Sequence, residues 1–519
     1  MKRQPNQARR GSRKRLKKFP DSANAAKHSP REVLPDRQAV EKIFLKMPPR
    51  RRGLIGNLTL LSIALAIILF GLLAALYLRD YYHERQLAAI RASEANTTLP
   101  GESIEVPPDS LVEAVMHSTD DPEIISQLDA FFGKLPQTFS DPSYERHPVR
   151  GIYCRTPDND LLDYFLKIAK TTEVNALIID AKESYGLSYQ SKVPLAVEIG
   201  ASVGSLDWAE ICRRCHAEGV LVIARVVVFK DEQMVNGRPD LCIRNTAKQV
   251  CKYPMEGGTS FVNPYNPEAW QYIIDICKEL IAFGVDEIQF DYIRFPTGAP
   301  EGELDALFSE NYSNEDLPER HWVINRFLET ARIEIQDKLK VPLGADLFAS
   351  IMLSDIDGFL LGQHWKSIGL TGIDNIGVMV YPSHFANSSL HYSGNGEGSQ
   401  IGDTLFDKPD LEPYGVVKNT MLAGLDGFAQ KGYATMRPYL QAFTANYLPP
   451  GYYIDYTDHE IREQMRALRD VGLREWQLWR PDPDYPLGSF RGPEAEVELT
   501  GPEPTVNRHQ VTIPPATIP

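Results

Sequence analysis

The stretch DEIQFDYIRFP, residues 286–296, reads as a buried strand whose alternation puts Gln289 and Asp291 on one face. It follows EAWQYIIDICKELIAFG (268–284), a helical pattern that ends in Gly just before the strand, as helix C-caps do. Downstream lies a second helical pattern, WVINRFLETARIEIQDKL (322–339). The same grammar extends outward in both directions. Strand-like runs fall at GIYCR (151–155), NALIIDAKE (175–183) and GVLVIARVVVF (219–229), then at VPLGADLFA (341–349), NIGVMVYPSH (375–384), ATMRPYLQAF (434–443) and REWQLWRP (474–481). Helical patterns DLLDYFLKIAKT, LDWAEICRRCHAEG and HEIREQMRALRDVG separate others. Eight strand–helix alternations predict an α/β fold with a parallel sheet, and eight is the number that closes a (β/α)8 TIM barrel, here over 148–486. An open doubly wound sheet is the alternative, but no GxGxxG follows the first strand.

The long connections follow strand three (230–267), strand four (297–320) and strand six (385–418), whereas the returns are short. Long βα loops belong to the face where barrel enzymes build their sites. Inward positions near that face carry polar groups. They are Asp180 and Lys182 on strand two, Gln289 and Asp291 on strand four and Asp346 on strand five. Strand six offers Tyr381 and then His384, strand seven Arg437 and Gln441, and strand eight Gln477 and Trp479. Ionisable groups at so many strand ends are costly unless paired or used. The chemistry they suit is glycoside hydrolysis, in which one carboxylic acid protonates the leaving oxygen and a second carboxylate attacks or activates water. Aromatic rings such as Tyr381 and Trp479 pack against apolar sugar faces. The competing reading is a buried ion-pair network, Asp180–Lys182 or Asp291–Arg294, that only ties strand ends together.

FDYIRFP (290–296), LIIDAKESYG (177–186), FVNPYNPEAW (261–270), VMVYPSH (378–384) and RPYLQAF (437–443) together resemble a prokaryotic family of glycoside hydrolase barrel domains, distantly similar to α-amylase and α-galactosidase barrels. The resemblance spans about residues 148–486. It implies a nucleophile at the end of strand four, which by motif is Asp291. The related α-amylase-like barrels take their acid/base from strand five, where Asp346 stands in place of a Glu. The α-galactosidase-like barrels take it from strand six, where this chain has Tyr381 and His384 but no carboxylate. Asp346 is therefore the leading acid, with Asp180 and Glu183 as further candidates. Lys182 and Arg294 are expected to orient the carboxylates, and Tyr381, His384, Arg437, Gln441 and Trp479 to bind sugar.

The 519-residue chain has a formal charge of −14, unevenly spread: residues 1–53 hold 17 Lys/Arg against 4 Asp/Glu, and the rest balances at −27. An acidic body argues against nucleic acid as a partner. From Gly53 to Leu78 no residue is charged, a length that crosses a bilayer, so residues 54–78 are expected to form a single transmembrane signal anchor. Arg50, Arg51 and Arg52 abut it on one side, which predicts a cytoplasmic N-terminus and an extracytoplasmic body on the cell membrane. Residues 1–53 read as a basic disordered tail, 79–147 as a stalk with short helices at SLVEAVMHS and EIISQLDAFFGKL, and 487–519 as a Pro-rich disordered tail.

No cofactor is expected. CRRCH (212–216) matches a haem-attachment pattern, but Trp208, Ile211, Cys212 and Cys215 form a core-facing helical stripe. No HExxH or HxH spacing suggests zinc, and SDIDG (354–358) lacks the later ligands of a calcium loop. No GxSxG elbow or P-loop occurs. Cys242 and Cys251 share one loop and are the pair most open to oxidation. The preferred function is hydrolysis of a surface or external polysaccharide. The alternative is a non-catalytic barrel that binds and tethers envelope glycan.

Overall fold

The computed structural model describes residues 117–136, 147–301, 306–309, 313–385 and 398–492. The expected basic tail, the expected span at 54–78 and the chain beyond 492 lie outside these residues. Among the described residues no helix is long and apolar enough to cross a membrane.

Eight parallel strands form the centre: β1 Arg150–Arg155, β2 Ala176–Glu183, β3 Leu221–Val227, β4 Glu287–Asp291, β5 Leu343–Phe348, β6 Asn375–Val380, β7 Tyr439–Gln441 and β8 Trp476–Trp479. Each bonds to its sequence neighbours, and β1 pairs with β8 as well as β2, so the sheet closes into the predicted barrel. Most strands are shorter than the runs that announce them, although β1 begins one residue before its run. β4 stops at Asp291 because Tyr292 turns to a left-handed φ of 51°. The run 434–443 splits into Thr435–Met436 and β7, with Arg437 and Pro438 between them. A proline has no N–H to give to a ladder.

The crossover helices α2 Asn159–Thr171, α3 Trp208–Ala217, α4 Pro267–Ala282, α5 Arg320–Arg332 and α7 Asp458–Asp470 follow their sequence patterns, α6 Pro413–Ala423 begins within the expected loop 385–418, and α1, Pro122–Phe132, precedes the barrel. Asp158 and Asp207 cap α2 and α3 through their side chains, and Thr457 with Glu460 forms a capping box on α7. Gly219, Gly284 and Gly472 then take positive φ where the chain leaves α3, α4 and α7. The outward residues of the strands, such as Ile179, Val226, Phe290, Leu347 and Val378, are fully buried beneath the helices in one continuous core. Inside the barrel only a small apolar cluster remains, Val149, Tyr153, Ala176, Ile178 and Ile223, and the rest of the lumen is polar.

Helix α1 matches the expected EIISQLDAFFGKL element, and it packs on the barrel wall. Asp129 pairs with Arg326 at 2.6 Å, the Ser118 amide donates to Glu329 at 2.6 Å, and the Phe132 and Trp270 rings lie 4.6 Å apart. At the other end the described chain continues past the expected boundary at 487. Leu487–Ser489 makes a 3-10 turn, Phe490 stacks on Trp476, and the Tyr485 hydroxyl donates to the Tyr153 carbonyl. All six cysteines are buried thiols, so the suggested Cys242–Cys251 pair is unbonded. Trp208, Ile211, Cys212 and Cys215 are buried as the stripe predicts, while His216 pairs with Asp286.

Candidate active site

Because strand side chains alternate, the barrel lumen is built in layers. At the N-terminal end, Arg437 is clamped by Glu287 at 2.6 Å and Glu475 at 3.1 Å. One layer up, Gln289 donates to Gln477 and accepts from the Tyr439 hydroxyl. At the C-terminal end sits a charged layer around Arg225. Its guanidinium donates to Asp291 Oδ2 at 2.6 and 3.1 Å, to Asp180 Oδ1 at 2.7 Å, and to Glu183. Tyr153 donates its hydroxyl to the other oxygen of Asp180. The remaining oxygen of Asp291 accepts the Tyr292 backbone N–H at 2.6 Å, made possible by the left-handed turn at Tyr292.

Above this layer opens a cavity of about 710 Å³. Asp291 and Asp346 both line it, with Arg294, Tyr381, His384 and Trp479 among the sequence candidates and Tyr292, Phe348, Phe443 and Tyr447 on its walls. Asp346 is 2% exposed, and its Oδ1 has no hydrogen-bond partner among the described residues. Burial first, and then the neighbouring Asp291 charge, push its carboxyl well above the usual range. Its place depends on Gly377, its partner across the β5–β6 ladder. A Cβ at 377 would lie 2.5 Å from Asp346 Oδ1. Burial also raises Asp180, whereas Arg225 outweighs burial at Glu183 and lowers it. Burial holds His384 down at about 4, a neutral imidazole at ordinary pH. No cluster among the described residues suits a metal ion.

Several sequence assignments change. Lys182 does not face the mouth beside Asp180. It is fully buried, pairs with Asp231 at 2.9 Å and donates to the Val227 carbonyl. The cause is a register slip between Asp180 and Lys182 against β3, which reverses the alternation on β2. Neither expected ion pair forms: Asp180 and Asp291 both use Arg225, while Arg294 binds Glu256 at 2.7 Å. Arg437 lies at the closed end of the barrel, far down its strand from the mouth, because the break at Pro438 assigns it to the strand's beginning. Gln441 supports a loop instead of lining the cavity. It accepts from the Ser383 amide at 3.0 Å and donates to Asp410 at 2.9 Å. Asp180 and Glu183 sit behind Asp291, held to the same guanidinium. Arg225 went unnoticed in the sequence, although a lone arginine within GVLVIARVVVF was the available signal.

A closed barrel with two carboxyl groups at its open mouth is an arrangement that glycoside hydrolases use. The chain belongs to the family described as "Putative glycosyl hydrolase domain", whose model matches residues 152–485, and it is thus a glycoside hydrolase acting on carbohydrate. No curated protein matches the chain. Among solved structures it is similar to a hypothetical protein from Ruminiclostridium thermocellum, with 30% identity and a TM-score of 0.33, over 38% of this chain and 96% of that one. The PgaB (BpsB) glycoside hydrolase domain from Bordetella bronchiseptica matches at 14% identity and a TM-score of 0.46, over 65% and 95% of the two chains. The Bacillus cereus spore cortex-lytic enzyme SleL matches at 12% identity and a TM-score of 0.39, over 74% and 83%.

Proposed function

We propose that the protein is a membrane-anchored, extracytoplasmic glycoside hydrolase that cleaves O-glycosidic bonds of a cell-surface or external polysaccharide through the pair Asp291 and Asp346. The observation that carries this reading is the contrast between the two carboxyl groups on one cavity. Asp346 is sequestered and pushed up, which suits a neutral acid that gives its proton to the leaving sugar oxygen. Asp291 has one oxygen held by Arg225 and the other by a backbone N–H, which supports its reading as the group that attacks the sugar carbon or orients water. Asp180, Glu183 and Tyr153 act through Arg225 as positioning residues. Tyr381, Trp479 and Phe443 offer ring faces to sugar, and the uncharged segment 54–78 would hold the body to the membrane.

The test is hydrolysis of a glycan panel by the wild-type protein and by Asp291→Asn and Asp346→Asn. Asp291→Asn should abolish release of reducing ends while leaving the melting temperature near wild type; full turnover would remove the assignment. Asp346→Asn should lose about 10²–10⁴-fold on natural sugar leaving groups. It should lose far less on activated aryl glycosides, which need no proton, and the alkaline limb of the wild-type pH profile should vanish with it.

A further inference from the structure

Among the described residues the charged groups around the cavity are already engaged with one another, and their arrangement constrains the sugar. Arg225 faces three carboxylates, Asp180, Glu183 and Asp291. Arg294 is bound by both oxygens of Glu256, and Lys230 reaches the same carboxylate at 3.7 Å. Arg480 pairs with Asp482 at 2.7 Å and donates to the Ala442 carbonyl at 2.8 Å. Burial opposes the charge on Glu256, but Arg294 and Thr297 outweigh it and hold that carboxyl at about 2, so it stays ionised. His384, at about 4, adds no positive charge near neutrality. The floor therefore carries a small negative excess at Arg225, and the wall at Glu256 a small positive one. The Arg294 guanidinium lies between the rings of Tyr292 and Phe348, 4.8 and 4.9 Å from their centres. Tyr381, Phe443 and Trp479 pack on one another and make a second aromatic wall of the same cavity.

Recognition of a sugar carboxylate, sulfate or phosphate takes a cationic fork aimed at it. An anion entering this cavity would instead compete with carboxylates at every arginine and would sit beside Asp291 in a partly desolvated space. Resting on the glycosidase reading above, we infer that the sugar residue bound between the two aromatic walls is uncharged. The enzyme discriminates against uronate-, sulfate- or phosphate-bearing chains at the site itself, through Glu256 and the carboxylates on Arg225. The acidic body adds a separate, longer-range repulsion that salt removes.

The experiment compares the full-length protein on matched polymers: a neutral polysaccharide, its carboxylate- or sulfate-bearing counterpart, and an amine-bearing one. Each is assayed for released oligosaccharides at about 0.05 M and about 0.5 M salt. The neutral polymer should be cleaved at least about tenfold faster than the anionic one at both salt levels. Cleavage of an anionic polymer as fast as its neutral partner, preference for the amine-bearing chain, or a preference that disappears at high salt would each overturn the inference and leave the glycosidase reading standing. No cleavage in any arm would instead count against the glycosidase reading. Glu256→Gln supplies an independent readout, because it frees positive charge at Arg294 and Lys230. The ratio of anionic to neutral turnover should rise about tenfold. An unchanged ratio in a folded variant would show that Glu256 does not set the selectivity.

Discussion

Arg225 is the residue on which the charged layer turns, since it is the shared partner of Asp180, Glu183 and Asp291. Removing one partner of a buried ion pair leaves uncompensated charge and costs about 3–5 kcal/mol. Arg225→Met should cost about that much at pH 7 in denaturant titration, and the deficit should shrink at lower pH. Without the guanidinium, burial would hold Asp180 and Glu183 above their unfolded pKa values. The folded form would then bind more protons, and its stability would fall as pH rises. A deficit independent of pH between 7 and 4 would mean that the loss is one of packing alone. Asp291 was legible in the sequence because alternation puts it with Gln289 on one face, at the end of its strand. Arg225 ends no run, and its role appears only when strands β2, β3 and β4 lie side by side.

At the scale of elements, strand ends decide which side chains reach the cavity. Asp346 can sit where it does because the facing residue on β6 is Gly377. Gly377→Ala should displace the Asp346 carboxyl, lower kcat by about tenfold or more and move the alkaline limb of the pH profile. An unaltered limb would argue against Asp346 as the proton donor. Alternation picked out the acids on β2, β4 and β5, missed Arg225 on β3 and Tyr153 on β1, and failed where the ladder is irregular. A one-residue slip on β2 carried Lys182 to Asp231, and the break before β7 lowered Arg437 to the closed end. Pro438 marks the second irregularity in the sequence, whereas no residue pattern announces the slip on β2, which appears only in its register against β3.

The whole molecule shows a balance of buried titratable groups away from the cavity floor. Burial holds His321 at about 3 and His384 at about 4, while it pushes Asp410 up to about 6. Between pH 6.5 and 4 the unfolded chain protonates both imidazoles and the folded chain does not, so stability should fall on acidification. Asp410 works the other way, keeping its proton in the folded state up to about pH 6, so that stability from this group declines as pH rises from 4 to 6. Asp180 and Asp346, whose carboxyls burial also raises, act in the same sense as Asp410. Asp410→Asn should therefore lose more stability than wild type between pH 7 and 5 in thermal melts. An equal or smaller loss would contradict the raised Asp410 carboxyl.

By itself the sequence determined the strand–helix rhythm, the closed barrel it implies, the glycan-cleaving class and the acids at the ends of β4 and β5. The rhythm and the barrel follow from local periodicity, the acids stand out as polar residues at strand ends, and the glycan-cleaving class is what the motifs' resemblance to a glycoside hydrolase family implies. Only the tertiary structure decided which charges meet: Arg225 with three carboxylates, Lys182 with Asp231, Arg294 with Glu256. Such pairings depend on strand register and loop closure over dozens of residues, and electrostatic partners are chosen by distance in space, which a linear pattern does not encode.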